Sequence, residues 1–351
     1  MLNPYNSFNI PLLAWFDQHG RKDLPWQKQR SPYRVWISEM MLQQTQVITV
    51  IPYFLKFMAR FPNIETLALA TEDDVLSYWS GLGYYSRARY IHKTAIIIHT
   101  HFMNQFPDDL ETLKKLPGIG LSTAAAIASL AFNKPTAILD GNVKRVLSRY
   151  FQVAGAPDSA RVKQQLWQLA NDCMAQERCA DYTQAIMDLG ATCCKSKKPN
   201  CQACPLNPSC LAYKNEVVHD YPHKKTKKSL PTKEQQFLVL YNKDNLIYLE
   251  KRPPTGLWGG LWCLPSIDMN VCPKSYVYDN YKIRVENSVE LTKIKHSFSH
   301  FNLHITALSM KSHQSDSLVL ESSGRWLSID DIKTLGIAKP VNDIINCFLK
   351  Y

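Results

Sequence analysis

A chain of 351 residues exceeds the usual size of one hydrophobic core, so two or three domains are expected. With 45% hydrophobic and 20% charged residues it has the composition of an ordinary globular protein, and no window approaches the roughly 18 apolar residues of a membrane helix. A formal net charge of +11 favours a polyanionic partner, a nucleic acid or an acidic membrane surface.

The first twenty residues, MLNPYNSFNIPLLAWFDQHG, lack a basic lead followed by a sustained apolar run, which predicts a cytoplasmic address. In that reducing setting the ten cysteines are expected as metal ligands or free thiols. Residues 8–212 read as successive helices separated by Pro and Gly signals. In the stretch VWISEMMLQQTQVITVIPYFLKFM, read as helical, Glu39, Gln43 and Gln46 share one stripe with Val35. Trp36, Met40, Val47 and Val50 form an apolar stripe beside it. A polar stripe next to an apolar one suggests the lining of a cavity; a solvated helix face is the other reading.

Further along, Pro117-Gly118-Ile119-Gly120 lies between two helical patterns. Glycine lets the backbone turn sharply, and the free amides opening the second helix can hold a phosphate oxygen. This is the pattern of a helix-hairpin-helix that clamps a DNA backbone without reading sequence, and an ordinary interhelical turn is the alternative. Twenty residues on, Asp140 closes an apolar stretch and Asn142 precedes a basic helix; an Asp there can serve as a helix cap.

Cys194, Cys201, Cys204 and Cys210 stand in a C-x6-C-x2-C-x5-C pattern within 17 residues. Four thiolates suit structural zinc or a cubane iron-sulfur cluster, and the spacing leaves these two open beside unligated thiols. Cys193 and the cysteines at 173, 179, 263, 272 and 347 fall outside the pattern and read as packing or incidental residues. Lys195, Lys197 and Lys198 put positive charge in the same loop, suited to phosphate or simply to solvent.

Residues 214–233 carry six lysines and two prolines with little apolar content, which marks a linker. Beyond it, QFLVLY, NKDN and LIYLEKR read as a β-hairpin, FNLHITAL alternates at period two, and VNDIINCFLK closes the chain as a helix. The expected organisation is an all-α domain over 1–213, the linker, and an α/β domain over 234–351.

SEMMLQQTQV, GLGYYSRAR, LPGIGLSTA, LDGNVKRV, the cysteine set, RPPTGLWGGLW and HSFSHF together resemble the MutY-type adenine DNA glycosylases of the helix-hairpin-helix superfamily that includes endonuclease III. The match runs in family order from about residue 8 to the C-terminus. The resemblance implies a six-helix barrel over about 28–135 and a subdomain formed by about 1–27 and 136–213 that carries a [4Fe-4S] cluster on the four cysteines. It implies base excision repair of adenine opposite 8-oxoguanine or guanine in duplex DNA by a monomeric, nucleoid-associated enzyme. Glu39 is then the general acid that protonates the adenine ring, Asp140 faces the oxocarbenium-like sugar, and Asn142 supports it. Ser122 stands where bifunctional relatives carry a Schiff-base lysine, and a hydroxyl cannot form an imine, so strand cleavage is not expected.

The same resemblance places Gln44 and Tyr84 as residues inserted into the base stack. Arg87 and Arg89, with His92 and Lys93, become phosphate contacts beside the Gly118, Gly120 and Ser122 hairpin. GLWGGLWCLP is similar to the opening of a Nudix, or MutT-like, domain. The glutamate-rich magnesium-binding helix of active Nudix hydrolases is missing from 264–351, which implies a retained fold that reads 8-oxoguanine through Phe298, Ser299 and His300. An endonuclease III-like glycosylase with lyase activity and a catalytically silent damage-binding protein are the two alternatives.

Overall fold

The computed structural model describes residues 5–223, 229–312 and 324–350. The chain divides into two compact units: Met1–Ala68 with Lys93–Lys227, and Leu69–His92 with Lys228–Tyr351. This differs from a division drawn at 214–233. Residues 69–92 belong with the C-terminal unit because Ser80 Oγ donates to the Ile337 carbonyl (2.8 Å), Lys251 pairs with Asp73 (2.7 Å), and Gly336 lies against Leu76. A compositional shift marks where the chain is exposed, not which segments pack together. Part of the expected linker is ordered, with short helical turns at Leu211–Lys214 and Val218–Asp220, and its lysines at 224–228 lie outside the described residues.

The first unit is helical, as its periodicity predicts. Its central helix, Leu121–Phe132, has the sequence LSTAAAIASLAF and buries Ala124 through Leu130. Small side chains let neighbours approach closely, and this helix packs against Pro32–Leu42 on one side and Cys179–Asp188 on another. Pro32–Leu42 starts on a Ser31 cap that accepts from the Arg34 amide, with proline in the first turn, where its missing N–H is harmless. Asp109 caps Leu110–Lys115 in the same manner through Thr112.

One expected element is broken. The amphipathic stretch from Val35 to Met58 is two helices, Pro32–Leu42 and Val47–Arg60, because Gln44 adopts a left-handed conformation (φ 58°). Glutamine is a good helix former, so nothing in its identity signals the break.

Among its described residues, the second unit is built on a seven-stranded sheet ordered β3-β2-β1-β6-β5, in which β4 also pairs with β1 and β7 with β2. The strands are β1 (Thr232–Tyr241), β2 (Ile247–Lys251), β3 (Trp262–Cys263), β4 (Ser266–Asp268), β5 (Val289–Ser297), β6 (Asn302–Lys311) and β7 (Gly324–Leu327). β1 and β2 form the expected antiparallel hairpin, and β1 runs parallel to β6. β1 is paired at both edges, and Phe237 to Leu240 form a continuous buried run, the pattern of a strand covered on both faces. β6 instead keeps the alternation visible in its sequence. Tyr248, Val277 and Met310 meet in the core, and the closing helix spans Lys339–Phe348.

Candidate active site

Three segments of the helical unit carry the residues expected from the sequence to a cavity of about 690 Å³, which two further segments, at 21–26 and 184–191, complete. Pro32–Leu42 contributes Glu39, and its broken end contributes Gln43 and Gln46. The hairpin helix contributes Ser122 and Thr123, and the start of Gly141–Tyr150 contributes Asp140 and Asn142. The cavity is within the size range of small-ligand sites and large enough for a purine. Although the helix bearing Glu39 ends early, Glu39, Gln43 and Gln46 still share one wall, because the turn at 43–46 folds the polar stripe around the cavity. Gln43 donates to Thr123 Oγ1 at 3.3 Å, tying that turn to the hairpin helix.

Glu39 is walled by protein on all sides but the cavity. Burial, reinforced by the charge of Asp140, raises its carboxyl from 4.5 to about 7. Asp140 is a helix cap as well as a cavity residue. Its Oδ1 accepts from the Val143 amide (2.7 Å) and its Oδ2 from the Asn142 side-chain amide (3.0 Å). Burial raises its pKa, and those same hydrogen bonds oppose the rise by favouring the anion. Burial pushes both carboxyls up, but only Asp140 receives hydrogen bonds that favour its anion, so the pair can supply an acid and, opposite it, a stabilising negative charge. Ser122 Oγ accepts from the Leu139 amide at 3.1 Å, so its hydroxyl fixes the backbone next to Asp140.

The hairpin has the required geometry. Gly118 adopts a left-handed conformation (φ 76°), Ile119 is buried beneath it, and Gly120 forms the N-cap of Leu121–Phe132 with no side chain over its amides.

Sequence patterning missed several wall residues. Arg21 reaches Asp188 through both its amide (2.8 Å) and its guanidinium (2.6 Å), and Gln184 donates to the same carboxylate (2.8 Å). Arg21 and Gln184 line the cavity while Asp188 is fully buried. The available signal was Asp188 itself, an acid in the otherwise apolar run AIMDLGA four residues after Gln184. Arg145 also went unnoticed; it donates to Asn142 Oδ1 (2.8 Å), the Gly190 carbonyl (2.7 Å) and the Cys194 carbonyl (2.8 Å). Gly190 is required there, since a Cβ would meet that of Asn142 at 2.6 Å.

Cys194, Cys201, Cys204 and Cys210 all line one small cavity, as one shared centre requires. Among the described residues, no group of three or more His, Cys, Asp or Glu side chains is drawn together tightly enough to hold a single metal ion. Cys193 does not line that cavity, though its thiol is hydrogen-bonded with that of Cys204 and donates to the Asn200 carbonyl. Of the other cysteines, 173, 179 and 263 are buried as packing residues, Cys347 is half-buried, and Cys272 is exposed. Lys195, Lys197 and Lys198 are exposed on the same loop.

In the second unit a cleft of about 710 Å³ brings Tyr84 and Arg89 together with Trp258, Phe298, Ser299, His300 and Lys339. Phe298 stacks on buried Phe301 (4.6 Å, 20°) and touches His296 and Trp258. Ser299 and His300 are exposed at the tip, with Ser299 Oγ 3.4 Å from His300 Nδ1. Gln44, in the helical unit, and Tyr84 are both exposed and both adopt left-handed backbone, which pushes their side chains out of the regular helix surface. The expected phosphate contacts divide. Arg87 is 5% exposed, donates to the Gly83 carbonyl and lies over Trp79 and Tyr84, so it braces the turn and is not placed to reach a phosphate. His92 is likewise buried against the Ala70 carbonyl, and Arg89 is engaged by the Pro254 carbonyl, while Lys93 is exposed. The helix that follows the Gly-Leu-Trp-Gly-Gly segment, Pro273–Tyr281, contains no glutamate.

A family model described as HhH-GPD superfamily base excision DNA repair protein matches residues 37–172, and a NUDIX domain model matches residues 236–347. The solved structure of a thermostable thymine-DNA glycosylase aligns with a TM-score of 0.55 at 27% identity, covering 60% of this chain and 97% of that one. A non-covalent endonuclease III–DNA complex aligns with a TM-score of 0.51 at 21% identity, covering 62% and 99%, a likeness of fold. These matches and the two-carboxyl cavity define the class: a helix-hairpin-helix DNA N-glycosylase of base excision repair, extended by a Nudix-like unit. The adenine DNA glycosylase of Buchnera aphidicola subsp. Schizaphis graminum is 40% identical over 347 residues, covering 97% of this chain and 98% of the relative. That of Mus musculus is 31% identical, covering 97% and 78%. The chain belongs to the adenine DNA glycosylase family.

Proposed function

We propose that this protein hydrolyses the N-glycosidic bond of adenine paired with 8-oxoguanine or guanine in duplex DNA, without a strand-cleaving lyase step. The observation that carries the reading is the shared cavity of Glu39, raised to about 7, and Asp140, whose two oxygens accept hydrogen bonds from Val143 and Asn142. An extruded adenine enters that cavity. Protonated Glu39 gives its hydrogen to a ring nitrogen, so the departing base no longer accumulates negative charge. As the glycosidic bond lengthens, positive charge on the sugar is met by Asp140, whose position is fixed by Asn142 and by the Ser122–Leu139 bond. Water completes the substitution. No amine stands at position 122 to capture the sugar as an imine.

In this reading Cys194, Cys201, Cys204 and Cys210 hold a [4Fe-4S] cluster, supported by their convergence on one cavity. The group supplies a cross-link that orders the basic loop at 195–198 for phosphate contact. Gln44 and Tyr84 enter the base stack, Arg89 and Lys93 add positive charge near the backbone, and Gly118 and Gly120 offer the hairpin amides. Phe298, Ser299 and His300 read the base opposite, supported by the exposure of Ser299 and His300 beside half-buried Phe298 in the cleft with Tyr84.

The test is single-turnover incubation with a duplex containing one adenine opposite 8-oxoguanine. Free adenine and an intact strand bearing an abasic site are expected. Covalent trapping by borohydride would favour a lyase, and tight binding without adenine release would favour a silent damage-binding protein.

A further inference from the structure

Arg149 is 3% exposed, and its guanidinium is surrounded by five carbonyl oxygens. It donates through Nε to Val218 (3.1 Å) and Tyr221 (2.9 Å), through Nη1 to Cys194 (3.4 Å) and Lys195 (2.8 Å), and through Nη2 to Ser196 (3.5 Å). A sixth contact runs from Nη1 to Cys194 Sγ at 3.3 Å. Carbonyl dipoles satisfy the N–H groups but do not neutralise the charge, and a buried cation without an anion is strongly unfavourable. Among the described residues Arg149 pairs with no carboxylate. The one partner able to carry a full negative charge is the Cys194 sulfur.

We propose that Arg149 is the counter-cation of the cysteine-held centre: its hydrogen bond to Cys194 Sγ balances thiolate charge, while its carbonyl contacts pin both ends of the loop around that sulfur. The inference rests on the cluster reading given above. A cation bonded to a ligating sulfur favours the more negative, reduced state of an iron-sulfur centre and so raises its reduction potential. The same guanidinium joins 194–196 to 218–221, making it a positioning residue for the chain on both sides of the ligands.

The experiment uses the full chain. Iron and acid-labile sulfide are first measured in the wild-type protein; a chain purified anaerobically that holds zinc or no metal overturns the cluster reading and this inference with it. Arg149→Met and Arg149→Lys are then titrated with redox dyes. Removing the charge is expected to shift the equilibrium about tenfold toward the oxidised state, a potential about 59 mV more negative for a one-electron couple, with Lys recovering part of the shift. An Arg149→Met protein that keeps its iron and titrates within about twofold of wild type overturns the inference while leaving the cluster reading intact. If neither variant retains iron, the wild-type protein decides. Pulsed electron paramagnetic resonance of a paramagnetic state of the centre ([4Fe-4S]1+ or [4Fe-4S]3+), with arginine guanidino groups labelled with nitrogen-15, should show coupling to the label, and absence of coupling in a sample with a resolved cluster signal overturns the proposal.

Discussion

Glu39 shows how one residue's surroundings set its chemistry. An ordinary glutamate is almost wholly ionised at neutral pH, whereas one raised to about 7 keeps a large protonated fraction there. Under single-turnover conditions, adenine release should therefore decline as pH rises through about 7. Glu39→Gln should lower release by about 10²–10⁴-fold while leaving duplex affinity within a factor of two, as checked by a gel-based binding assay. Stability should move the other way. Because the folded carboxyl binds its proton more tightly than the unfolded one, its stabilising effect is complete below about 4.5 and lost as pH rises through about 7. Thermal unfolding should consequently show Glu39→Gln gaining about 1–3 kcal/mol relative to wild type between pH 5 and pH 8. Asp140 can be dissected similarly, since asparagine caps a helix nearly as well as aspartate. Asp140→Asn should keep the melting temperature and lose excision; Asp140→Ala should lose excision and about 1 kcal/mol of stability.

At the scale of the element, the hairpin and the broken helix make the site. Gly118 occupies a backbone region that side chains rarely enter (φ 76°), so Gly118→Val should cost about 1–3 kcal/mol and weaken DNA binding independently of sequence. Salt titration of the binding constant would check this, because a lost phosphate contact lowers the slope by roughly one. LPGIG and LDGN were legible as a tight turn and a helix start, because glycine supplies the left-handed backbone at 118 and aspartate caps the helix at 140. The turn at 43–46 could not, because Gln44 carries no mark of a left-handed residue. Arg87 was misread for a related reason: arginine in a basic segment looks like a phosphate ligand until packing shows it beneath Tyr84 and over Trp79. The pairing of Asp188 was hidden because its cationic partner, Arg21, lies 167 residues away in the sequence.

At the scale of the whole molecule, the two units divide the labour proposed for them, one holding the carboxyl cavity and the other the cleft with Ser299 and His300. Replacing both residues with alanine should reduce preference for adenine opposite 8-oxoguanine over adenine opposite guanine by about tenfold, with little change in the maximal single-turnover rate. Equal loss on both duplexes would count against the cleft. The change of character from helix to sheet was plain in the sequence, because QFLVLY and LIYLEKR flank a turn signal and FNLHITAL alternates at period two. The allegiance of 69–92 was not, since it depends on contacts with 251 and 336–337 that no local pattern records.

Phe298 is already clasped between Phe301 and Trp258 at the edge of its cleft. A ring so held surrenders little rotational freedom when it meets a ligand, and ordering of that kind otherwise subtracts about 0.5–1.5 kcal/mol per side chain. Selectivity at that edge therefore depends on the shape and hydrogen-bonding pattern of what is presented to it.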